Sequence, residues 1–484
     1  MDIAWPILPD FPMPALAGFL GVLVALLATA HIVLTKRNVQ ARAGWVAVVC
    51  FVPFIGTLLY LFLGINRIRR RAVALHRRVS IPQTPPDAQV VPVSGGELPD
   101  SMRAINRVIN QVTRRPLLAG NRVTVLGDGP QACAAMVDAI NAARQSVTLC
   151  TYIFDNDEVG SRFVEALTAA CRRGVAVRVL IDAVGLRYSW FNPIDERLAA
   201  AGVRVARFLP PRFLPWHLPY ANLRNHRKIL VVDGVTGFTG GMNIRAGYLR
   251  PLRHPEAIID LHFQLEGPVV AQLQRSFQED WLFVSGELLV GPEWFPRLAA
   301  VGETMARGIS DGPDEDFDRL FWAYLAGIQG AQKSLHILTP YFLPEPEIVS
   351  ALNGAAMRGI DVNIILPEHS NLPPVDWATA GILDDLIAHG CRVWLTPPPF
   401  DHGKLFLVDD AWALIGSGNW DPRSLKLNFE FAVECYDPAL GRRLRYVIGD
   451  RLAVARELSL DELHARPFLV RLRDGLAGLF TPYL

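Results

Sequence analysis

The feature that most limits what this chain can become is an internal duplication. The segment NAARQSVTLCTYIFDNDEVGSRFVEALTAACRRGVAVRVLIDAVG, from Asn141, lines up with QGAQKSLHILTPYFLPEPEIVSALNGAAMRGIDVNIILPEHS, from Gln329. The match continues, because LAAAGVRVARFLPP resembles LIAHGCRVWLTPPP and NHRKILVVDGVTGFTGGMNI resembles DHGKLFLVDDAWALIGSGNW. Each copy reads as strand, acidic loop, helix, strand. Runs such as VRVLI and VNIIL are continuous apolar stretches bounded by turn residues and alternate with amphipathic helices. That pattern predicts an α/β fold with a largely buried sheet in each half. Two such halves facing each other create a pseudo-two-fold site.

Each copy carries His-x-Lys and, after four further residues, Asp: His226, Lys228 and Asp233, then His402, Lys404 and Asp409. On a strand, His and Lys two apart point to the same face, so both can line one cleft. Lysine is scarce here; apart from Lys228 and Lys404 the chain has only Lys36, Lys333 and Lys426, and arginine serves elsewhere. A lone histidine is more often a surface or satisfied core residue than a catalyst. Two copies of the triplet at equivalent repeat positions, built with the chain's rarest cation, reverse that weighting.

The paired motifs, with the trailing strings GGMN and GSGNWDPRSLKLNFE, resemble the phospholipase D superfamily. In the second string Gly416, Ser417, Asn419, Asp421, Arg423, Ser424, Asn428 and Glu430 all fit its pattern. Within the superfamily the chain is most similar to bacterial cardiolipin synthases, through Arg42, Trp45, Pro53, Gly56, Tyr60 and Gly64 near the amino terminus and through YIFDNDEVG, RNHRK, Gly267-Pro268 and Asp280-Trp281. The resemblance implies two phospholipase D-like α/β lobes and a covalent phosphohistidine route, with His226 as nucleophile and His402 as general acid/base. Lys228, Lys404, Asn243 and Asn419 are implied to hold the phosphoryl oxygens. Glu430 and Asp260 are the carboxylates implied for the two imidazoles, and Ser417 is a supporting residue. Asp233 and Asp409 belong to the catalytic motif, although the resemblance gives them a loop-holding role. No cofactor or metal is implied. Arg245 and Ala246 depart from the Gly-Asp that many synthases carry, and Leu261 separates Asp260 from His262; both departures bear on acceptor choice.

Ahead of the repeat lie two apolar runs, FPMPALAGFLGVLVALLATAHIVLT from Phe11 to Thr35 and GWVAVVCFVPFIGTLLYLFLGI from Gly44 to Ile65. A helix needs about 20 apolar residues to span a bilayer, so a two-helix transmembrane hairpin is expected. A cleaved signal peptide fits less well, because the amino terminus is acidic and a second apolar run follows. Arg67, Arg69, Arg70, Arg71, Arg77 and Arg78 outnumber Lys36, Arg37 and Arg42 in the loop, which places the catalytic lobes on the cytoplasmic side of a multi-pass inner-membrane protein. The resulting division is a membrane domain over 1–78, a linker over 79–115 that is rich in Pro and Gly up to Pro99, a first lobe over 116–291, an inter-lobe segment over 292–315 and a second lobe over 316–484.

Other features exclude more than they assign. The formal net charge of +1 removes any case for a nucleic-acid-coating surface. Six cysteines lie far apart with no CxxC pair, so they read as buried thiols rather than a disulfide framework or a zinc site. His217 and His262 lack ligand spacing and read as structural. Tyr152, Tyr341 and Trp420 fit an acyl entrance or the core equally. The closing segment FLVRLRDGLAGLFTPYL is amphipathic enough either to lie on a membrane or to pack against the second lobe. The expected activity is transphosphatidylation between two phosphatidylglycerol molecules at a bilayer, giving cardiolipin and glycerol. A phospholipase D-type hydrolase, or a phosphatidyltransferase with another head-group donor or acceptor, uses the same motifs. A superfamily nuclease is disfavoured by the apolar runs, and a non-catalytic scaffold by the intact His, Lys and Asn of both halves; oligomeric state is not legible.

Overall fold

A computed structural model describes residues 13–36, 39–61, 98–186, 193–210, 223–313 and 318–481. The arginine cluster after the second apolar run, the first part of the linker and His217 lie outside these residues. The chain divides into an amino-terminal unit and a catalytic unit.

In the amino-terminal unit the first apolar run forms the helix Met13–Thr35. Among the described residues this is the one helix long and apolar enough to cross a membrane. The second run is not one continuous helix. It is divided into Val39–Phe51 and Pro53–Leu59, because Pro53 offers no N–H and occupies the first turn of the second piece, a position that tolerates proline. The pieces pack around a polar contact, His31 Nδ1 to Tyr60 Oη at 2.8 Å, with the Trp45 ring edge-on to Tyr60 at 5.5 Å. Cys50 is exposed and Cys171 half-buried, which corrects the reading of all six cysteines as buried.

The catalytic unit contains two lobes of the same topology. In the first, strands Arg204–Phe208, Ala176–Asp182 and Ser146–Thr151 are parallel. The sheet continues antiparallel through Ile229–Val232, Thr236–Gly240, His262–Glu266 and Leu118–Leu126. The second lobe repeats this order with Arg392–Thr396, Asp361–Pro367, Ser334–Leu338, Leu405–Val408, Trp412–Gly416, Asn428–Tyr436 and Thr304–Asp311. Leu118–Leu126 pairs antiparallel with Thr304–Asp311 and joins both lobes into one sheet. Helices cover both faces, which is why the strands read as unbroken apolar runs. Val270–Ser285 and Pro438–Val454 share one core that takes strand residues from both lobes. Gly129–Ala142 with Glu158–Arg172, and Arg319–Gly330 with Pro346–Met357, each cover the other face of their own lobe.

Two boundaries need correction. Inside the stretch expected to be linker, Asp100–Thr113 is a helix whose Met102, Ile105 and Ile109 enter the second lobe's core. The Pro- and Gly-rich residues before it hid this short apolar stripe. The inter-lobe segment contains Thr304–Asp311, a strand at the centre of the joint sheet. Its Gly308 and its charges disguise a strand in which Arg307 is fully buried opposite Glu434.

That ion pair holds the middle of the unit. Arg307 Nε donates to Glu434, and its terminal nitrogens donate to Asn106 Oδ1 at 2.7 Å and Asn110 Oδ1 at 3.2 Å. Glu434 also accepts from Trp412 Nε1 at 3.0 Å and Tyr436 Oη at 2.9 Å. Removing one partner leaves a buried charge uncompensated, at a cost of about 3–5 kcal/mol, whereas replacing both with apolar groups is far less damaging. Glu434→Ala is therefore expected to lower the thermal unfolding temperature of the detergent-solubilised protein strongly, and Arg307→Met/Glu434→Leu to recover most of the loss. Equal losses in both variants would refute this.

Candidate active site

The two motif histidines are positioned by the opposite lobes. Arg224–Asn225 forms a two-residue parallel pair with Asn428 and Phe429, and the next amide, His226 N–H, donates to Phe429 O at 2.9 Å. Reciprocally, Phe400–Asp401 pairs with Ile258–Ile259, and His402 N–H donates to Ile259 O at 2.7 Å. Each imidazole is thereby set beside the carboxylate that follows in the partner strand. His226 Nδ1 lies 3.0 Å from Glu430 Oε1, and His402 Nδ1 lies 2.8 Å from Asp260 Oδ2. An ionised carboxylate only accepts, so the Nδ1 of each ring carries the proton and Nε2 keeps its lone pair.

The carboxylates are held unequally. Glu430 accepts from Ser417 Oγ at 2.5 Å, Ser424 Oγ at 2.9 Å and Asn428 Nδ2 at 3.2 Å. Asp260 Oδ1 accepts from the Leu261 amide at 2.7 Å. Where the second lobe has Ser417, the first has Gly241, and a Cβ there would collide with the Asp260 carboxylate. Ser424 and Asn428 were legible only as members of the GSGNWDPRSLKLNFE string; their bonds to Glu430 are a structural finding.

His226, His402, Asn243 and Asn419 line one cleft of about 860 Å³ with walls from both lobes. Asn243 Oδ1 accepts from the Ile153 amide at 3.1 Å, and the Asn243 side chain also bonds the buried Tyr248 hydroxyl. Tyr152 packs edge-on to His226 at 5.2 Å, and Tyr341 to His402 at 6.2 Å. Of the residues with two open readings, both tyrosines therefore line the cleft beside the histidines, while Trp420 is buried in the core against Tyr324. Arg245 reaches the cleft wall and pairs with Asp155 at 3.1 Å.

The lysines lie behind the histidines rather than in the cleft wall. Lys228 Nζ donates to His226 O at 2.7 Å. Lys404 Nζ donates to His402 O at 2.6 Å and lies 3.1 Å from both ring nitrogens. Burial pushes His226 down to about 4, with Lys228 and Lys404 acting the same way and Glu430 opposing. Burial and Lys404 push His402 down to about 3 against the pull of Asp260. Burial likewise lowers Lys228 to about 7 and Lys404 to about 8. Near neutral pH both imidazoles are therefore neutral.

Asp233 and Asp409 are outside the cleft, which corrects their inclusion in the catalytic constellation. Both sit at positive φ, 51° in each case, at the far end of the motif strand. Asp233 accepts from the amides of Arg144, Gln145 and Ser146 at 2.7–3.1 Å. Asp409 does the same for Gln332, Lys333 and Ser334 at 2.7–2.9 Å. Each carboxylate ties off the loop before a central strand. His262 is buried at the start of its strand, and its Nδ1 has no partner among the described residues.

The cardiolipin synthase, PLD-like domain family matches residues 136–281 and 324–448, and the phospholipase D-nuclease N-terminal family matches residues 23–64. The chain is 31% identical over 476 residues to the major cardiolipin synthase ClsA of Bacillus subtilis (strain 168), covering 96% of this chain and 98% of that protein. It is 32% identical over 476 residues to cardiolipin synthase A of Pseudomonas fluorescens (strain SBW25), covering 96% of each. This chain belongs to the phospholipase D superfamily, in the cardiolipin synthase family. Among solved structures, the phosphatidylserine synthase of Haemophilus influenzae Rd KW20 aligns with a TM-score of 0.59 at 16% identity, covering 78% of this chain and all of that one, a likeness of fold. In this cardiolipin synthase family member the two motif histidines thus line one cleft, and an apolar amino-terminal helix accords with association with a membrane.

Asp233→Ala and Asp409→Ala each remove three charge-assisted amide contacts. Each is expected to cost about 2–4 kcal/mol of stability while leaving kcat per folded molecule within about threefold. Thermal unfolding and turnover measured on the same samples check this, and a large kcat loss at unchanged stability would restore a catalytic role.

Proposed function

We propose that the chain is a cardiolipin synthase: a phosphatidyltransferase that joins two phosphatidylglycerol molecules into cardiolipin and releases glycerol. The observation that carries this reading is the pair of neutral imidazoles, each hydrogen-bonded to a carboxylate from the other lobe, in one cleft of a chain similar over nearly its full length to cardiolipin synthases.

In the first step His226 Nε2 attacks phosphorus and the bond from phosphorus to the glycerol oxygen breaks, with His402 delivering a proton to that oxygen. An anionic phosphodiester between the rings favours the charged imidazole, so His402 takes up its proton as substrate binds. In the second step the hydroxyl of another phosphatidylglycerol gives its proton to His402 and attacks phosphorus, and the bond from phosphorus to His226 breaks. Glu430 and Asp260 fix the tautomers and stabilise the imidazolium forms. Lys228 and Lys404 supply positive charge from behind the rings, and the Asn243 and Asn419 amides donate to the phosphoryl oxygens. Met13–Thr35 and the broken pair Val39–Phe51 and Pro53–Leu59 form a two-pass anchor with the lobes on the cytoplasmic side. The anchor holds the cleft where lipid alcohols are concentrated, so that transfer competes with hydrolysis.

Purified protein in detergent, given labelled phosphatidylglycerol and a chelator, is expected to form cardiolipin and glycerol. His226→Ala and His402→Ala are each expected to lower the rate by at least about a thousandfold. Phosphatidic acid as the main product would reassign the enzyme as a hydrolase, and loss of wild-type activity with chelator would remove the metal-free route.

The same site sets a pH profile. The nucleophile is available above the His226 pKa, and the lysines carry charge below theirs. Because His402 is neutral in the free enzyme and takes its proton from solution as substrate binds, kcat/KM is expected to decline as pH rises above about 4, and more steeply above about pH 7–8 as Lys228 and Lys404 discharge. A profile still rising at pH 9 would contradict the assignment of charge to the lysines.

A further inference from the structure

The helix Phe468–Gly478 sits on the second lobe with its polar anchor inward and its apolar side chains outward. Asp474 is buried and accepts from Arg466 Nη1 at 2.8 Å and from Arg473 Nη2 at 2.7 Å. The Arg473 guanidinium lies 4.5 Å over the Trp377 ring of the helix Pro373–Ala388. Phe468 and Leu469 are about three-quarters exposed, and Leu472, Leu476, Leu479 and Phe480 are exposed as well. Their spacing puts them along one side of the helix. An apolar ridge of this kind, rimmed by charge, marks an interaction surface.

Its position says what it meets. Between this helix and Pro373–Ala388 runs an apolar groove of about 450 Å³, and Pro374 in its wall also lines the catalytic cleft. The exposed Leu372 and the Tyr341 hydroxyl, which donates to Asn371 Oδ1 at 2.5 Å, belong to the same cleft rim. Ridge, groove and cleft therefore form one continuous surface, apolar at one end and phosphate-accepting at the other. Arg471 and Arg473 are exposed among the apolar residues, where they complement anionic head groups. Resting on the reading of the cleft as a phospholipid site, we infer that this face docks on the surface of an anionic bilayer. Phe468, Leu469, Leu472 and Leu476 enter the acyl region, and a lipid passes from the bilayer along the groove into the cleft without exposing its chains to water.

The test uses the full chain with Cys50→Ser, carrying either Leu472→Cys or Tyr446→Cys labelled with an environment-sensitive fluorophore. Tyr446 is exposed on Pro438–Val454 and serves as the control, and the parent without an added cysteine is the labelling blank. In vesicles of phosphatidylglycerol and phosphatidylcholine, the label at 472 is expected to be quenched by lipids spin-labelled on their acyl chains and shielded from iodide, with the reverse at 446. Quenching by iodide at 472, or equal lipid quenching at both sites, would overturn the inference. So would shielding from both quenchers in a dimer that Leu472→Ser/Leu476→Ser dissociates, which would assign the face to a second copy. Independently, Leu469→Ser/Leu472→Ser/Leu476→Ser is expected to raise KM for vesicle phosphatidylglycerol by about tenfold or more, with kcat and turnover of a short-chain, dissolved phosphatidylglycerol unchanged. Unchanged KM on vesicles counts against docking. The quenching readout does not depend on turnover, so failure of the transferase reading and failure of docking are separable.

Discussion

Two hydrogen bonds, His226 to Glu430 and His402 to Asp260, cross the boundary between the lobes in opposite directions. Each is prepared by a two-residue parallel strand pair that brings a motif histidine against the strand end carrying the other lobe's carboxylate. Neither motif histidine is paired with a carboxylate of its own lobe. A half-site would leave a nearly buried imidazole without the acceptor that selects its tautomer and stabilises its charged form. The continuous sheet through Leu118–Leu126 and Thr304–Asp311, with the buried pair Arg307 and Glu434 inside it, keeps the halves in the register this exchange needs.

Burial then sets the chemistry. The low pKa values of both histidines and the depressed values of both lysines share one leading cause, removal from water. The cations partly compensate by pressing on backbone carbonyls, and the carboxylates by pairing with the rings. An anion entering the cleft favours the charged imidazole forms, so anion binding and protonation of the histidines are coupled. The unequal anchoring of Glu430 and Asp260 breaks the pseudo-symmetry. The carboxylate beside His226 is held by two serines and an asparagine, whereas Asp260 accepts from the Leu261 amide.

Much of this was legible in the residues. The duplication predicted two α/β lobes, the motif pair with its trailing strings named the histidines and the asparagines, and the family resemblance implied Glu430 and Asp260 as their carboxylates. Three things were not legible. Spacing alone put Asp233 and Asp409 in the catalytic motif, and only the resemblance gave them a loop-holding role, because one residue type at a fixed offset cannot reveal which way its carboxylate turns at a positive φ. Asp100–Thr113 and Thr304–Asp311 looked like connectors, since a short amphipathic stripe after a Pro-rich stretch, and a strand with a buried Arg, acquire their meaning only from the surfaces they pack against. The second apolar run read as one span, whereas Pro53 divides its helix.

The sequence by itself determined the lobe fold, because apolar periodicity and turn residues act locally and were written twice. It also determined the chemistry available, since two histidines, two lysines and two asparagines recur at equivalent repeat positions. Only the tertiary structure decided which carboxylate serves which histidine. The repeat is symmetric in sequence, so pairing within a lobe and pairing across lobes are equally compatible with it, and the choice comes from strand contacts between residues some 200 or 140 positions apart. Tertiary structure likewise decided the state of the closing helix. Its amphipathic pattern fitted packing on the lobe or lying on a membrane, and the fold places Asp474 inward and the leucines outward beside the cleft.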